Sequence, residues 1–550
     1  MSKKETKYIF VVGGVISGVG KGITASSIGL ILKNRGLHVT ALKIDPYINV
    51  DAGTMNPTEH GEVFVLADGD ETDQDMGNYE RFLDLDLTRI NYMTTGRVYQ
   101  TVIAKERNLE YSGKCVEVVP HIPLEVIGRI KKAGDIAKAD VVIVEIGGTI
   151  GEYQNLLFLE AARMMKNEHP ENVAFVMVSY LPTPGNIGEM KTKPTQYAVR
   201  TLNSSGIQPD ILLARGETSM DEKRKEKLSM FCNIPADCII SAPDVKSIYD
   251  IPLNFEKEKL SDRLCKILGI KANKPSVASW NAWKKFAHHA HNGKETVKIA
   301  MVGKYFETGD FMLSDSYLSV IEAIKYSTYS QNRKPIISWL NSVDYEKDPS
   351  RLAELKNYDG IVVPGGYGSR GVEGNLKVVK FARENKIPYF GLCYGMQMMV
   401  IEYARNVLGL KDANTSEVNP KSSARVIDVM ESQKENLKNK LYGGTNRLGA
   451  YRAFLRDGTI ARNSYGKKEV VERHRHRYEV NPEFISQIEN SGLVFSGKSP
   501  DGRLMEIAEL SKKEHPFFLG TQFHPEFLAR PLTPHPLFTA FIKACIGKKK

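Results

Sequence analysis

The stretch that most constrains the fold is Pro388-Tyr389-Phe390-Gly391-Leu392-Cys393-Tyr394-Gly395-Met396-Gln397. A short apolar run ends at a lone cysteine with glycine two residues to either side, and a helical run from Met396 to Arg405 follows. Small neighbours let the backbone bend sharply between strand and helix and leave the side chain exposed at the bend. The helix then points its N-terminus at the sulfur, which favours thiolate. Taken alone, the segment reads equally as a nucleophile elbow or as a buried cysteine in a Gly-flanked turn.

Two further segments separate these readings. Phe518-Leu519-Gly520-Thr521-Gln522-Phe523-His524-Pro525-Glu526 is a strand ending in His-Pro-Glu. A thiol nucleophile needs a base, and the base needs a carboxylate to hold its tautomer. Ile361-Val362-Val363-Pro364-Gly365-Gly366 ends a strand in a glycine pair whose N–H groups can face an oxyanion. In this order the three segments resemble a class I, triad-type glutamine amidotransferase. That resemblance implies Cys393 as nucleophile, His524 as base and Glu526 as its orienting acid. It also implies an oxyanion site at the N–H groups of Gly366 and Tyr394. Gly395, Met396 and Gln397 would join these two in binding glutamine, with Glu417 on its amino group and Arg477 on its carboxylate.

The 550 residues allow about three or four domains on length alone. With 42% hydrophobic and 25% charged residues, the chain has an ordinary globular balance. No apolar run reaches transmembrane length, and the N-terminus lacks a signal-peptide apolar region, so no membrane association is expected. The six cysteines are scattered without zinc or disulfide spacing, which suits a reducing cytoplasm. The net charge of +10 is compatible with nucleic acid and equally with anionic nucleotides.

Near the N-terminus, an apolar strand from Tyr8 to Val12 runs into Gly13-Gly14-Val15-Ile16-Ser17-Gly18-Val19-Gly20-Lys21-Gly22, then a helix through Leu32. Strand, Gly-rich loop, Lys and helix form a phosphate cradle. It departs from a strict Walker A motif: Val15 stands where the first Gly belongs, and Gly22 replaces the Mg-binding Ser or Thr. Acidic residues follow at Asp45, Asp51, Glu71, Asp73 and Asp75, as hard oxygen ligands for Mg²⁺ or as a solvated loop. The β-branched run Asp140–Ile146 reads as a strand covered on both faces. Near its end, Glu145 is placed as a Walker-B-like ligand. Lys191-Thr192-Lys193-Pro194-Thr195-Gln196 reads as an anion-binding turn or an ordinary polar helix start. Continued helix–strand alternation supports a doubly wound parallel sheet.

Gly20-Lys21-Gly22, Lys43 to Asp51, His60-Gly61-Glu62-Val63-Phe64-Val65 and Lys191 to Gln196 together resemble the synthetase part of the CTP synthase family, over nearly the whole chain. The resemblance implies a P-loop-like doubly wound domain at 1–270, a linker at 271–296 and a class I glutamine amidotransferase α/β domain at 297–550. It implies ATP contacts at Gly18, Val19, Gly20, Lys21, Gly22, Ile23, Lys43 and Asp75, with Mg²⁺ on Asp75 and Glu145. UTP and CTP would meet Ser17, Glu152, Tyr153, Gln154, Lys191 to Gln196 and Lys227. Pro57, His60 and Val63 would line a passage for ammonia. GTP as allosteric activator, with Lys304 and Arg370 as candidate contacts, CTP as inhibitor and a cytoplasmic homotetramer are further implications. Two departures stand out: Gly151-Glu152-Tyr153-Gln154 replaces an acidic Gly-Asp-x-Glu stretch, and Tyr394 follows the nucleophile where Leu is common.

Two other segments carry open readings. The polar stretch 271–294, with Trp280, Trp283 and His288-His289-Ala290-His291, reads as an interdomain helix exposing polar residues or, less simply, a metal site. Val471-Glu472-Arg473-His474-Arg475-His476-Arg477-Tyr478-Glu479 places three arginines on one strand face and two histidines on the other. Anion binding within the site is the reading preferred over a solvated edge strand or nucleic acid, because no aromatic platform accompanies the charges.

Overall fold

The computed structural model describes residues 5–186, 188–304, 307–308, 311–312 and 314–548. It divides into two compact units rather than three or four: residues up to Asp51 with Asp75–Ala287, and Ala52–Gln74 with His288 onward. The later crossing from one unit to the other, between Ala287 and His288, falls inside the stretch 271–296 read as a linker. Residues 52–74, numbered within the first domain, pack with the second unit.

The first unit is built on a seven-stranded parallel sheet. Its order is Tyr92–Thr94, Val39–Asp45, Val141–Ile146, Lys7–Gly14, Val173–Tyr180, Ile211–Gly216, Ile239–Pro243. Val39–Asp45 and Val141–Ile146 are buried along their whole length, as expected of strands covered by helices on both faces. The parallel register sets Lys43 beside Glu145, and Val11 beside the same Glu145 from the other side.

The helix Val277–Asn292 differs from the polar linker expected of it. Trp283 and Phe286 are buried, and the Trp283 indole N–H donates to the Tyr249 carbonyl at 2.9 Å. Its ring lies 5.2 Å from that of Phe82. Two aromatic residues one turn apart give this otherwise polar helix an inner face, a pattern masked by its neighbouring Lys and His residues.

The second unit carries a nine-stranded sheet. Its parallel part runs Arg333–Asn341, Glu295–Gly303, Gly360–Val363, Tyr389–Leu392, Phe518–Thr521. The antiparallel part continues through Met505–Glu509, Val494–Lys498, Arg447–Leu455 and Glu469–His476. In the helix Leu318–Ser330, Val320, Ile321 and Ile324 are buried at helical spacing, and Tyr317 is buried at its N-cap.

Replacing Trp283 by Ala deletes a fully packed indole and orphans the Tyr249 carbonyl. We expect a loss of about 3 kcal/mol in the stability of the first unit, read as a lowered thermal transition for that unit by calorimetry.

Candidate active sites

The cysteine elbow forms because three parallel strands end together. Tyr389–Leu392 lies between Gly360–Val363 and Phe518–Thr521. Cys393 then takes φ 49° and ψ −97°, a conformation L-residues avoid, before the helix Tyr394–Asn406 begins. A Cβ on Gly395 would collide with the Val363 carbonyl, so only glycine lets the helix start this close to the sheet. The Tyr389 hydroxyl donates to the Gly395 carbonyl at 2.8 Å and closes the bend.

The adjacent strand delivers the histidine. The Cys393 N–H donates to the Thr521 carbonyl at 2.6 Å, and three residues on stands His524. Its Nδ1 lies 2.7 Å from Glu526 Oε1, while its buried Nε2 has no hydrogen-bond partner among the described residues. Burial disfavours the imidazolium, but Glu526 and the neighbouring Cys393 outweigh it and push the His524 pKa up to about 10. A Cβ on Gly365 would sit 2.9 Å from His524 Cε1, so the first glycine of the pair makes room for the ring.

These groups border a cavity of about 430 Å³ that Gly366, Gln397, Glu417 and Arg477 also line. The Gln397 amide donates to the Tyr478 carbonyl at 3.1 Å. Arg477 donates to Gln433 Oε1 at 3.1 Å and Thr445 Oγ1 at 3.0 Å. Burial raises the Glu417 pKa, opposed by the Gly368 N–H at 2.8 Å and by Lys304. Tyr394, Gly395 and Met396 are buried in the first turn of the helix, behind the cysteine, and do not line the cavity. Only backbone groups of these three are therefore suited to a substrate there. The Tyr394 ring faces Lys304, whose Nζ lies 4.5 Å from its centroid and donates to the Gly368 carbonyl at 2.7 Å. Burial pushes the Lys304 pKa down to about 8, against the pull of Glu417 and Glu346.

Pro57 and Val63 line the same cavity, as do Gly53, Thr54 and Met55, which sequence reasoning missed. His60 does not line it and lies 3.7 Å from Asp73. No periodic or compositional signal marks 52–74 as a wall of this pocket.

The basic strand is neither solvated nor uniformly anion-facing. Arg473 is fully buried, with Nη1 donating to the Val65 carbonyl at 3.0 Å, and Arg475 pairs with Glu71 at 2.8 Å. His474 Nδ1 lies 2.9 Å from His476 Nε2, and burial holds both imidazoles well below their usual pKa. Of the three arginines, Arg475 and Arg477 reach the cavity.

In the first unit, the loop after Lys7–Gly14 turns through positive φ at Val15, Gly18 and Gly20, and the helix Lys21–Lys33 follows. Lys21 Nζ donates to the Gly148 carbonyl at 2.8 Å; burial lowers its pKa, while Glu145 opposes that. Lys43 Nζ lies 2.5 Å from Asp75 Oδ2 and 2.8 Å from Glu145 Oε1. The Tyr79 hydroxyl donates to the other Glu145 oxygen. A Cβ on Gly22 would collide with the Asp75 carboxylate, which explains why this loop lacks the usual Ser or Thr. The Val19 carbonyl accepts from Arg215 Nη1 at 3.0 Å, and Ile23 sits half-buried in the first helical turn.

The two carboxylates converging on one ammonium supply hard oxygen donors of the kind that share Mg²⁺ with phosphates. Asp75 and Glu145 therefore fit such an ion.

The expected pyrimidine contacts are mixed. Ser17, Tyr153, Gln154, Lys193 and Lys227 are exposed, and Pro194 is half-buried at the start of the helix Lys193–Ser204. Glu152 accepts from the Thr149 N–H at 3.0 Å and from Gln154 at 2.7 Å. Lys191 pairs with Glu189 at 2.6 Å. Thr195 bonds Ser179 at 2.8 Å and Gln196 bonds Thr192 at 3.1 Å, so these three side chains brace the turn from within.

A parallel α/β unit with a phosphate loop, joined to an α/β unit with a Cys-His-Glu constellation, defines the class: a ligase with its own glutamine amidotransferase. The model for the CTP synthase N-terminus matches residues 7–270, and that for class I glutamine amidotransferases matches 312–544. A Methanocaldococcus jannaschii CTP synthase is 49% identical over 552 residues, covering 99% of each chain. One from Carboxydothermus hydrogenoformans is 50% identical over 546 residues, again with 99% of each covered. The solved glutaminase domain of Trypanosoma brucei CTPS with bound acivicin is 35% identical, covering 46% of this chain and 94% of that one at a TM-score of 0.42. The chain belongs to the CTP synthase family. Among its described residues, no helix is long and apolar enough to cross a membrane.

Because the His524 pKa lies above its ordinary value, the imidazolium contributes stability that is complete below pH 6.5 and lost as pH rises through about 10. Glu526→Gln removes the partner that opposes burial, so the imidazole resonance should titrate at lower pH than in the wild type. An unchanged NMR titration would contradict this account of the charge.

Proposed function

We propose that the chain makes CTP from UTP, ATP and glutamine through two coupled reactions. The observation that carries the reading is the pairing of a Lys21–Lys43–Asp75–Glu145 cluster in one unit with Cys393, His524 and Glu526 around a cavity in the other. Family membership over nearly the whole chain supplies the substrates.

In the second unit, Cys393 attacks the glutamine carboxamide carbon. The carbonyl π electrons move to oxygen, where the Gly366 and Tyr394 N–H groups receive the developing charge. His524 gives its proton to nitrogen, ammonia leaves, and a thioester remains for water to cleave to glutamate. Glu526 holds the imidazole tautomer throughout. Glu417 and Arg477 are suited to the two charged ends of glutamine, since one is anionic, the other cationic, and both line the cavity. Pro57 and Val63 would shelter ammonia before water protonates it.

In the first unit, the uracil 4-oxo oxygen attacks the γ-phosphorus of ATP, ADP leaves with the bridging P–O pair, and ring N3 gives its proton to solvent. Ammonia then adds at that ring carbon, phosphate departs with the C–O bonding pair, and the added nitrogen loses one proton to leave the 4-amino group. Lys21 and the loop N–H groups would hold the triphosphate, and Lys43 the transferring group. A divalent cation at Asp75 and Glu145 would supply neutralising charge to the phosphates. Ser17, Glu152 to Gln154, Lys191 to Gln196 and Lys227 are assigned to UTP and CTP by family position, as are activation by GTP, inhibition by CTP and the tetramer. Exposed Lys193 and Lys227 are the members of this set whose ammonium groups suit phosphate.

An assay with ATP, UTP, Mg²⁺ and either glutamine or ammonia tests the whole: CTP should form with both donors. Cys393→Ala should abolish glutamine use and leave ammonia-dependent synthesis intact; loss of both in a folded variant would contradict separate sites. Lys21→Ala should abolish synthesis from either donor, and retained activity would remove Lys21 from the phosphate role.

A further inference from the structure

The strand Glu469–His476 touches the cysteine thiol and the histidine backbone of the glutamine site through alternate carbonyls. The Arg473 carbonyl accepts from the His524 backbone N–H at 2.8 Å, and the Arg475 carbonyl faces Cys393 Sγ at 3.9 Å. The guanidinium groups of the same two residues run to the segment 52–74. Arg473 donates to the Val65 carbonyl at 3.0 Å. Arg475 donates to Glu71 Oε1 at 2.8 Å and to the Gly53 carbonyl at 3.2 Å.

Gly53 and Glu71 stand on the two opposite legs of that segment. The legs are closed on each other where the Ala52 N–H donates to the Glu71 carbonyl at 3.1 Å. A Cβ on Gly53 would collide with the Glu71 carboxylate, so the glycine leaves the space in which that carboxylate meets the arginine. The Glu71 side chain is 2% exposed and that of Arg475 22%. A pair this sheltered is oriented by its hydrogen bonds and little screened by salt. Lysine could not reproduce it, because a point charge cannot span a carboxylate and a carbonyl as a planar fork does.

We propose that Arg475 is a positioning residue for glutamine hydrolysis. By clamping both legs of 52–74 it fixes the pocket wall formed by Gly53, Thr54 and Met55, and with it the strand carbonyls that seat Cys393 and His524. The inference rests on the proposed glutaminase reading of this cavity. It gives the basic strand a task distinct from binding the substrate's carboxylate. It also assigns a residue of the N-terminal sequence, Glu71, to chemistry performed by C-terminal ones. The segment is covalently continuous with Asp75, a member of the phosphate-loop cluster, so one stretch of chain serves both sites.

The test is Glu71→Gln, which keeps shape and removes charge, with Arg475→Lys as the second variant. Glutamate release, glutamine-supported CTP and ammonia-supported CTP are measured on the full chain. For Glu71→Gln we expect the glutamine KM to rise about tenfold as the wall loosens, kcat for glutamine hydrolysis to fall by a similar factor as Cys393 and His524 lose their seat, and the ammonia-supported rate to match the wild type. Arg475→Lys should raise the glutamine KM similarly, and the double variant should be no worse than the weaker single one, because both break one clamp. A wild-type glutamine KM in folded Glu71→Gln overturns the proposal. So does an equal fractional loss of the glutamine and ammonia activities, which is what general destabilisation produces. If the wild type releases glutamate but makes no CTP, the synthetase reading falls while the clamp is still tested by glutamate release.

Discussion

In both units the candidate chemistry stands at the carboxyl ends of adjacent parallel strands, and that register is the constraint on which the rest depends. Parallel strands end on the same edge, so residues far apart in the chain arrive side by side. Lys43 and Glu145 are cross-strand neighbours in the first unit. In the second, Gly360–Val363, Tyr389–Leu392 and Phe518–Thr521 bring the glycine pair, the cysteine and the histidine to one edge. Side-chain chemistry is added only where the strands stop, because their interiors are fully buried.

The strand ends hold unlike charges at close range in places water scarcely reaches. Lys43 between Asp75 and Glu145 keeps two carboxylates and an ammonium in one small volume. His524 against Glu526 does the same with an imidazole. Unpaired, each of these groups would resist burial; paired, they hold geometry. Glycine at 22 and 365 permits both arrangements, since a Cβ there would collide with the Asp75 carboxylate or crowd the His524 ring.

The segment 52–74 shows where sequence order and spatial order part. It leaves the first unit after Asp51 and rejoins it at Asp75, yet its contacts are with the second unit. The Glu62 carboxylate accepts from the Ser319 N–H at 3.0 Å, capping the helix Leu318–Ser330 from 257 residues away. Phe64 packs edge-on against Phe527 at 5.0 Å, and Phe527 stacks on His524 at 5.1 Å. Partners of this kind leave no trace in local periodicity. A buried acid capping a distant helix reads, in one dimension, as one more polar residue in a loop.

What could be read directly were features whose cause is local. The strand Lys7–Gly14 follows from the apolar run Tyr8 to Val12, the phosphate loop from glycines before Lys21, and the elbow from glycines flanking Cys393. Each needs only its own neighbours to bend or extend as it does, so residue order suffices. Tertiary structure alone decided which side chains those elements meet. It turned Thr192, Thr195 and Gln196 inward to brace their own turn, buried Trp283 in a helix expected to be polar, and set Gly22 against Asp75. It also drew Arg473 and Arg475 away from solvent and onto 52–74. The physical reason is that burial and ion pairing depend on distances in space, and chain separation does not encode those distances until the sheets have formed.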